Sequence, residues 1–347
     1  MNARFVRRAA AAALATVFFA APLGSLADTD INGAGSSFDF PFFSSAFYHY
    51  KVDHSDISVD YQSIGSGGGI QQFTQRTVDF GASDVPLNPT EMKAANDANG
   101  AVVEFPVTLG GVAVAYNVTG APAHIHLSAS VLAGIFLGKI TNWNDPAIAA
   151  LNSGVNFPNL PIVVVHRAEG SGTTYIFTDY LSRVSPDWKS QVGTSKSVTW
   201  PASSAVGMKG NEGVAGQIQN TPGAIGYIEL AYALENSIPY AALQNKAGNF
   251  VLPTLDSVRA AAAQKPEVSP SDFSIVDETG ADSYPICGYS WVMLWRNQGD
   301  PVRRKQLVDL FSWLVTTGQQ YAVTIKYVAL PENVQQAATS ALATLHS

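Results

Sequence analysis

Apolar residues recur at helical spacing after Asp39, where Phe42, Phe43, Ala46, Phe47 and Tyr50 fall on one face, and this pattern predicts an amphipathic helix. Residues 57–61 alternate apolar and polar instead, as a half-buried strand does, and residues 162–165 form a short continuous apolar run suited to a buried parallel strand. Residues 112–116 read as extended. Asp145 followed by Pro146 supplies an N-cap and a proline at the first helical position, and Ile176, Phe177, Tyr180 and Leu181 mark another helical face. Residues 251–271 are looser and predict a helix followed by a surface loop. A strong strand pattern returns at residues 291–295, ahead of a helix carrying Leu307, Leu310, Phe311 and Leu314. Such alternation defines an α/β chain, with each half expected as an open parallel sheet.

Composition adds size and compartment to this picture. With 347 residues, 46% of them apolar and 14% charged, the chain can bury a large core and is expected to form two domains. The first residues read as an address: Arg4, Arg7 and Arg8 precede an apolar stretch at residues 9–21 and a small-x-small site at Ser25-Leu26-Ala27. Residues 1–27 are therefore expected to be a cleaved signal peptide, by the ordinary secretory route rather than the twin-arginine one. No cysteine near Ala27 could take a lipid, and no later segment reaches the ~18 apolar residues of a membrane span, so the mature chain is expected to be soluble outside the inner membrane. Cys287 is the single cysteine, which excludes an intrachain disulfide. The formal charge is −7, and losing the three leader arginines makes it more negative, so no basic footprint for nucleic acid exists. Net charge governs long-range steering, however, and a cleft of the right polarity can still hold a small anion.

Three glycine- and hydroxyl-rich turns each precede a helical pattern: Gly33-Ala34-Gly35-Ser36-Ser37-Phe38, Gly65-Ser66-Gly67-Gly68-Gly69, and Arg167-Ala168-Glu169-Gly170-Ser171-Gly172-Thr173-Thr174. A helix start leaves about four N–H donors unpaired with a partial positive charge, and glycine lets an oxyanion approach the backbone. One such loop usually just caps its helix; three converging would bind an anion without many cations. The nucleotide fingerprints fit poorly, because no G-x-x-x-x-G-K-[ST] occurs and Phe38 stands where G-x-G-x-x-G needs its last glycine. No serine sits in G-x-S-x-G either. Arg167 could hold two oxygens of an anion with its planar fork while Glu169 pairs with it, or the two could form a surface ion pair.

Asp84, in the segment at residues 79–86, closes an apolar strand at the edge of a candidate cleft. A carboxylate beside an anion is repelled unless a proton lies between them. Protonated phosphate supplies one and sulfate at neutral pH does not, so Asp84 would select by repulsion. His124 and His126 alternate on one face but lack further ligands, and no metal is assigned. Phe42, Phe43, Phe47, Trp291 and Trp295 are expected in the core.

In these stretches the chain resembles the periplasmic phosphate-binding proteins of the bacterial phosphate-specific ABC transporter. The resemblance runs over nearly the whole mature chain. It adds to the three loops Tyr61-Gln62-Ser63-Ile64, residues 78–86, Gly138-Lys139-Ile140-Thr141-Asn142-Trp143, Lys209-Gly210-Asn211-Glu212-Gly213 and Pro222-Gly223-Ala224-Ile225-Gly226-Tyr227. It implies a type II periplasmic binding fold, two α/β domains joined by two crossover segments around a ligand cleft. Residues 28–106 and 285–347 would form one domain and residues 107–284 the other. It further implies that Ser37, Phe38 and Ser66 donate to phosphate and that Asp84 accepts its proton. From the second domain, Arg167, Ser171, Gly172 and Thr173 would contact the ligand, with Glu169 pairing with the arginine where the family often has Asp. The implied role is a non-enzymatic receptor, without cofactor, that delivers inorganic phosphate to a membrane permease. A monomer is the family expectation. The alternatives are another tetrahedral oxyanion such as sulfate, molybdate or a phosphonate in the same fold, or a phosphatase.

Overall fold

The structure, a computed structural model, describes residues 29–347; the signal-peptide reading of residues 1–27 lies outside them. The strands, in chain order, are β1 (Thr29–Gly35), β2 (Ile57–Ser63), β3 (Phe80–Ser83), β4 (Val102–Tyr116), β5 (His126–Leu127), β6 (Val163–Arg167), β7 (Val206–Met208), β8 (Ala224–Glu229), β9 (Ala242–Gln244), β10 (Phe250–Val251) and β11 (Cys287–Trp295). Eight of them form one sheet in the order β2-β1-β3-β11-β4-β8-β6-β7, and β10-β9-β5 form a small second sheet.

Both flanks of the large sheet are parallel, β1 with β2 and β3, and β6 with β7 and β8. The centre departs from the parallel expectation, because β11 is antiparallel to β3 and β4, and β4 is antiparallel to β8. The cause is connectivity. β4 carries the chain from one half to the other, pairing with β11 through residues 102–111 and with β8 through residues 112–116. β11 brings the chain back beside it, so the two must run in opposite directions. Their register shifts between Ser290 and Trp291, next to Pro106, whose missing N–H cannot join the ladder.

Helices cover this sheet where the apolar periodicity placed them. Phe40–Asp53 buries the face from Phe42 to Tyr50, Gly172–Val184 buries Ile176, Phe177, Tyr180 and Leu181, and Pro301–Val315 buries Leu307, Leu310, Phe311 and Leu314. Asp145 caps Pro146–Ala149 by accepting the Ala147 N–H at 2.8 Å, and residues 251–271 contain the helix Leu255–Ala263. Phe42, Phe43, Phe47, Trp291 and Trp295 are all buried, with Phe43 stacked on Phe47 and Trp295 on Phe73. Among the described residues, no helix is long and apolar enough to cross a membrane.

Candidate functional site

The parallel strands β1, β2, β3, β6 and β7 all end toward one cleft, the position where open α/β sheets place their ligands. Four helices start there: Phe40–Asp53, Ser66–Thr74, Gly172–Val184 and Gly210–Asn220. The three turns singled out in the sequence supply the first three starts. The fourth comes from Lys209-Gly210-Asn211-Glu212-Gly213, which the sequence offered only as a stretch of resemblance.

Asp84, directly after β3, is the centre of the polar network and only 2% exposed. Its Oδ1 accepts from the Ser36 hydroxyl and lies 2.8 Å from Ser290 Oγ, and its Oδ2 accepts from Thr173 Oγ1 at 3.2 Å. Burial pushes the Asp84 carboxyl above the usual carboxylate range, and the Ser36 and Ser290 hydroxyls, the Arg167 charge and the Thr173 hydroxyl all oppose that push. Every one of these neighbours favours the ionised form. Asp84 is thus built as an acceptor.

Ser66 and Ser37 are built as donors. Ser66 Oγ accepts the Gly172 N–H at 3.0 Å and the Asp84 N–H at 3.3 Å, while Ser37 Oγ accepts both the backbone N–H and the side-chain Nδ2 of Asn211, at 3.1 and 3.0 Å. With two N–H groups on each oxygen, what either hydroxyl has left to offer is its proton. Phe38 is fully buried, and its N–H donates to Ser36 Oγ at 2.9 Å. The carbonyls of this loop are fastened by tyrosines: Tyr61 donates to Ser36 O, Tyr232 to Ser37 O and Tyr327 to Phe38 O.

Arg167, the last residue of β6, is 4% exposed. Its Nε donates to Glu169 Oε1 at 2.8 Å, its Nη2 pairs with the same oxygen, and its Nη1 lies 3.4 Å from Thr173 Oγ1. Glu169 Oε1 also accepts the Gly210 N–H at 3.0 Å, so this side chain joins the arginine to the fourth helix start. The pair is buried on the arginine side and is not a surface ion pair. Ser171 Oγ caps its helix by accepting the Thr174 N–H at 3.1 Å, and the Ser171 N–H donates to Lys196 O at 2.9 Å. Ser37, Ser66, Asp84, Arg167, Glu169, Gly172 and Thr173 therefore share one connected network, whereas Phe38 and Ser171 join it through bonds local to their loops. His124 and His126 lie elsewhere, packed on Tyr240 and Phe250.

The residues that sequence reasoning missed are Ser36, Asp39, Asn211 and Ser290. Ser36 sat beside a residue already chosen, and Asn211 sat in a quoted stretch. Ser290 had one signal, a hydroxyl inside an apolar strand.

Gly172 marks how closely the halves approach. A Cβ added there would lie 2.5 Å from Asp84 Cβ and 2.6 Å from Asp84 N. Overpacking of this kind costs about 1–3 kcal/mol. We expect Gly172→Ala to weaken anion binding by about 10- to 100-fold, because opening the cleft relieves the clash. Calorimetric titration checks it, and an unchanged affinity would show that the two halves need not meet at Gly172.

A model of the PBP superfamily domain matches residues 20–317. The phosphate-binding protein PstS of Xylella fastidiosa (strain Temecula1) is 43% identical over 307 residues, 88% of this chain and 82% of that one. The phosphate-binding protein PstS of Pasteurella multocida (strain Pm70) is 44% identical over 326 residues, 93% of this chain and 92% of that one. Among solved structures, a high-affinity periplasmic phosphate-binding protein (PfluDING) bound with phosphate superposes with a TM-score of 0.74 at 23% identity, covering 90% of this chain and 93% of that one. These matches define the class: the fold is the α/β, type II periplasmic binding arrangement, two domains around a cleft. Within that class, the chain belongs to the PstS family of phosphate-binding proteins.

Proposed function

We propose that this protein is a receptor that captures inorganic phosphate in the interdomain cleft and hands it to the permease of an ABC importer. The observation that carries the reading is a buried acceptor, Asp84, set beside a buried arginine and among hydroxyls whose protons are left to donate. A protonated phosphate satisfies both kinds of group at once. Sulfate satisfies the donors and leaves Asp84 facing a lone pair. Relatives named for phosphate binding support the same ligand.

In this reading Ser37, Phe38, Ser66 and Asp84 hold the ligand from one domain, and Arg167, Ser171, Gly172 and Thr173 hold it from the other, with Glu169 steadying the arginine. The domains divide as residues 28–106 with 285–347 against residues 107–284, a division supported by β4 changing partner shortly after residue 107. Ligand contacts from both sides favour the closed state, so binding drives closure. No residue is asked for a covalent step, and the role needs no enzyme activity and no cofactor. The protein works as a monomer in the periplasm after loss of residues 1–27.

Small-angle scattering of ligand-stripped mature protein tests the receptor reading. We expect the radius of gyration to fall on adding phosphate and to stay constant with sulfate; no change with phosphate would refute closure around this ligand.

A further inference from the structure

Behind Asp84 lies a second buried carboxyl. Asp39 is fully buried, and its Oδ2 lies 2.6 Å from Ser290 Oγ, which is itself 2.8 Å from Asp84 Oδ1. Ser290 is buried in β11 beside the register shift, and a hydroxyl has one proton to give. If both carboxyls were ionised, one anionic oxygen would face a lone pair of Ser290 with no proton between them. One of the two acids must therefore be protonated and donate.

The surroundings decide which. Ser36 Oγ accepts the Phe38 N–H, and Thr173 Oγ1 has Arg167 Nη1 and Asn211 Nδ2 each at 3.4 Å, so both hydroxyl protons are directed onto Asp84. Asp84 also feels the charge of Arg167. Asp39 has nothing equivalent. Its Oδ1 is buried without a partner, and it makes no cap bond although it precedes the helix Phe40–Asp53. Among the described residues, the ionisable groups facing it are Asp84, Glu229, Tyr61 and Tyr327; none is a cation, and both tyrosine hydroxyls donate to carbonyls of the first loop. Burial, above all, and the neighbouring acids Asp84 and Glu229 push its carboxyl well above the usual range. The helix start favours an anion, but that attraction is weaker than the desolvation of an unpaired buried charge.

We propose that Asp39 is a neutral carboxylic acid that donates to Ser290, so that the only proton of Ser290 is directed onto Asp84 and Asp84 remains an acceptor. Asp39 is a positioning residue for anion selectivity. It acts through Ser290 and does not touch the ligand. This role rests on the phosphate reading of the cleft, whereas the protonation state rests on the hydrogen-bond geometry and the charges around the two acids and does not need that reading.

Infrared difference spectroscopy of the mature protein, wild type against Asp39→Asn at neutral pH, reads the protonation directly. We expect Asp39→Asn to remove one protonated-carboxyl band that stays constant through neutral pH. It is separable from Glu104, which burial pushes up to about 7 and which titrates in that range. Loss of the band in Asp84→Asn instead, or no band lost in Asp39→Asn, overturns the assignment. Carboxyl-carbon NMR of aspartate-labelled wild type gives the same answer without a substitution: one aspartate should keep the neutral shift, and its absence refutes the proposal. The positioning role predicts that Asp39→Leu lowers the phosphate-over-sulfate preference by about tenfold and that Asp39→Asn, whose amide still donates, restores most of it. An Asp39→Leu preference equal to wild type removes that role. If wild type ignores phosphate while Asp39→Asn loses its band, the ligand reading fails and the neutral acid stands. If wild type selects phosphate and no band is lost, only the Asp39 assignment fails.

Discussion

Asp84→Asn is expected to collapse the preference for phosphate over sulfate by about 100-fold or more, corresponding to roughly 3 kcal/mol. The carboxylate can only accept, and its two oxygens already draw in the hydroxyls of Ser36, Ser290 and Thr173. An anion reaching it must bring its own proton. The amide of the variant carries both an acceptor and a donor, so protonated phosphate still finds an oxygen while sulfate gains an N–H. The change in preference should come mainly from sulfate binding better, which separates loss of repulsion from damage to the fold. Competition of sulfate against bound phosphate measures it, and a ratio equal to wild type would remove Asp84 as the reader of the ligand's proton.

Arg167→Ala is expected to weaken phosphate binding by about 100- to 1,000-fold, in line with the 3–5 kcal/mol typical of breaking a buried ion pair. Two losses combine. The ligand loses a charge-assisted contact, and Glu169, which is held by both Arg167 and the Gly210 N–H, becomes a partly buried charge with one partner fewer. Arg167→Lys should recover only a fraction, because a point charge cannot pair with Glu169 and face the cleft in the fork geometry of a guanidinium. An Arg167→Ala affinity within threefold of wild type would mean that the helix starts hold the anion unaided.

How much of this was legible in the sequence follows from the range of each signal. The helix faces could be read because their apolar periodicity is local, and the three turns because glycine and hydroxyl residues cluster before those helices. β4 was only partly visible. It is buried almost throughout, so no alternation marks it, and Pro106 and the Gly110-Gly111 pair look like breaks. Gly110 is there because a Cβ would lie 2.7 Å from Phe38 Cζ, a packing reason that no local pattern reveals. The antiparallel direction of the central strands was missed for the same reason, since the direction of a returning strand is defined by its partner, although residues 112–116 and 291–295 already read as extended. The site divides along the same line. Ser37, Ser66 and Thr173 carry their signal in their own loops, but the bridge from Asp39 to Ser290 spans 251 positions and joins a helix start to a core strand. Asp39 read simply as the residue before a helix; its burial and its missing cap bond exist only in the fold.

Calorimetric titration of ligand-stripped mature protein, first with phosphate and then with sulfate, tests the central claim most directly. The structure predicts tight one-site binding of phosphate, with sulfate giving no heat and no displacement at comparable concentration. Equal binding of sulfate would contradict the selection of a protonated anion by Asp84.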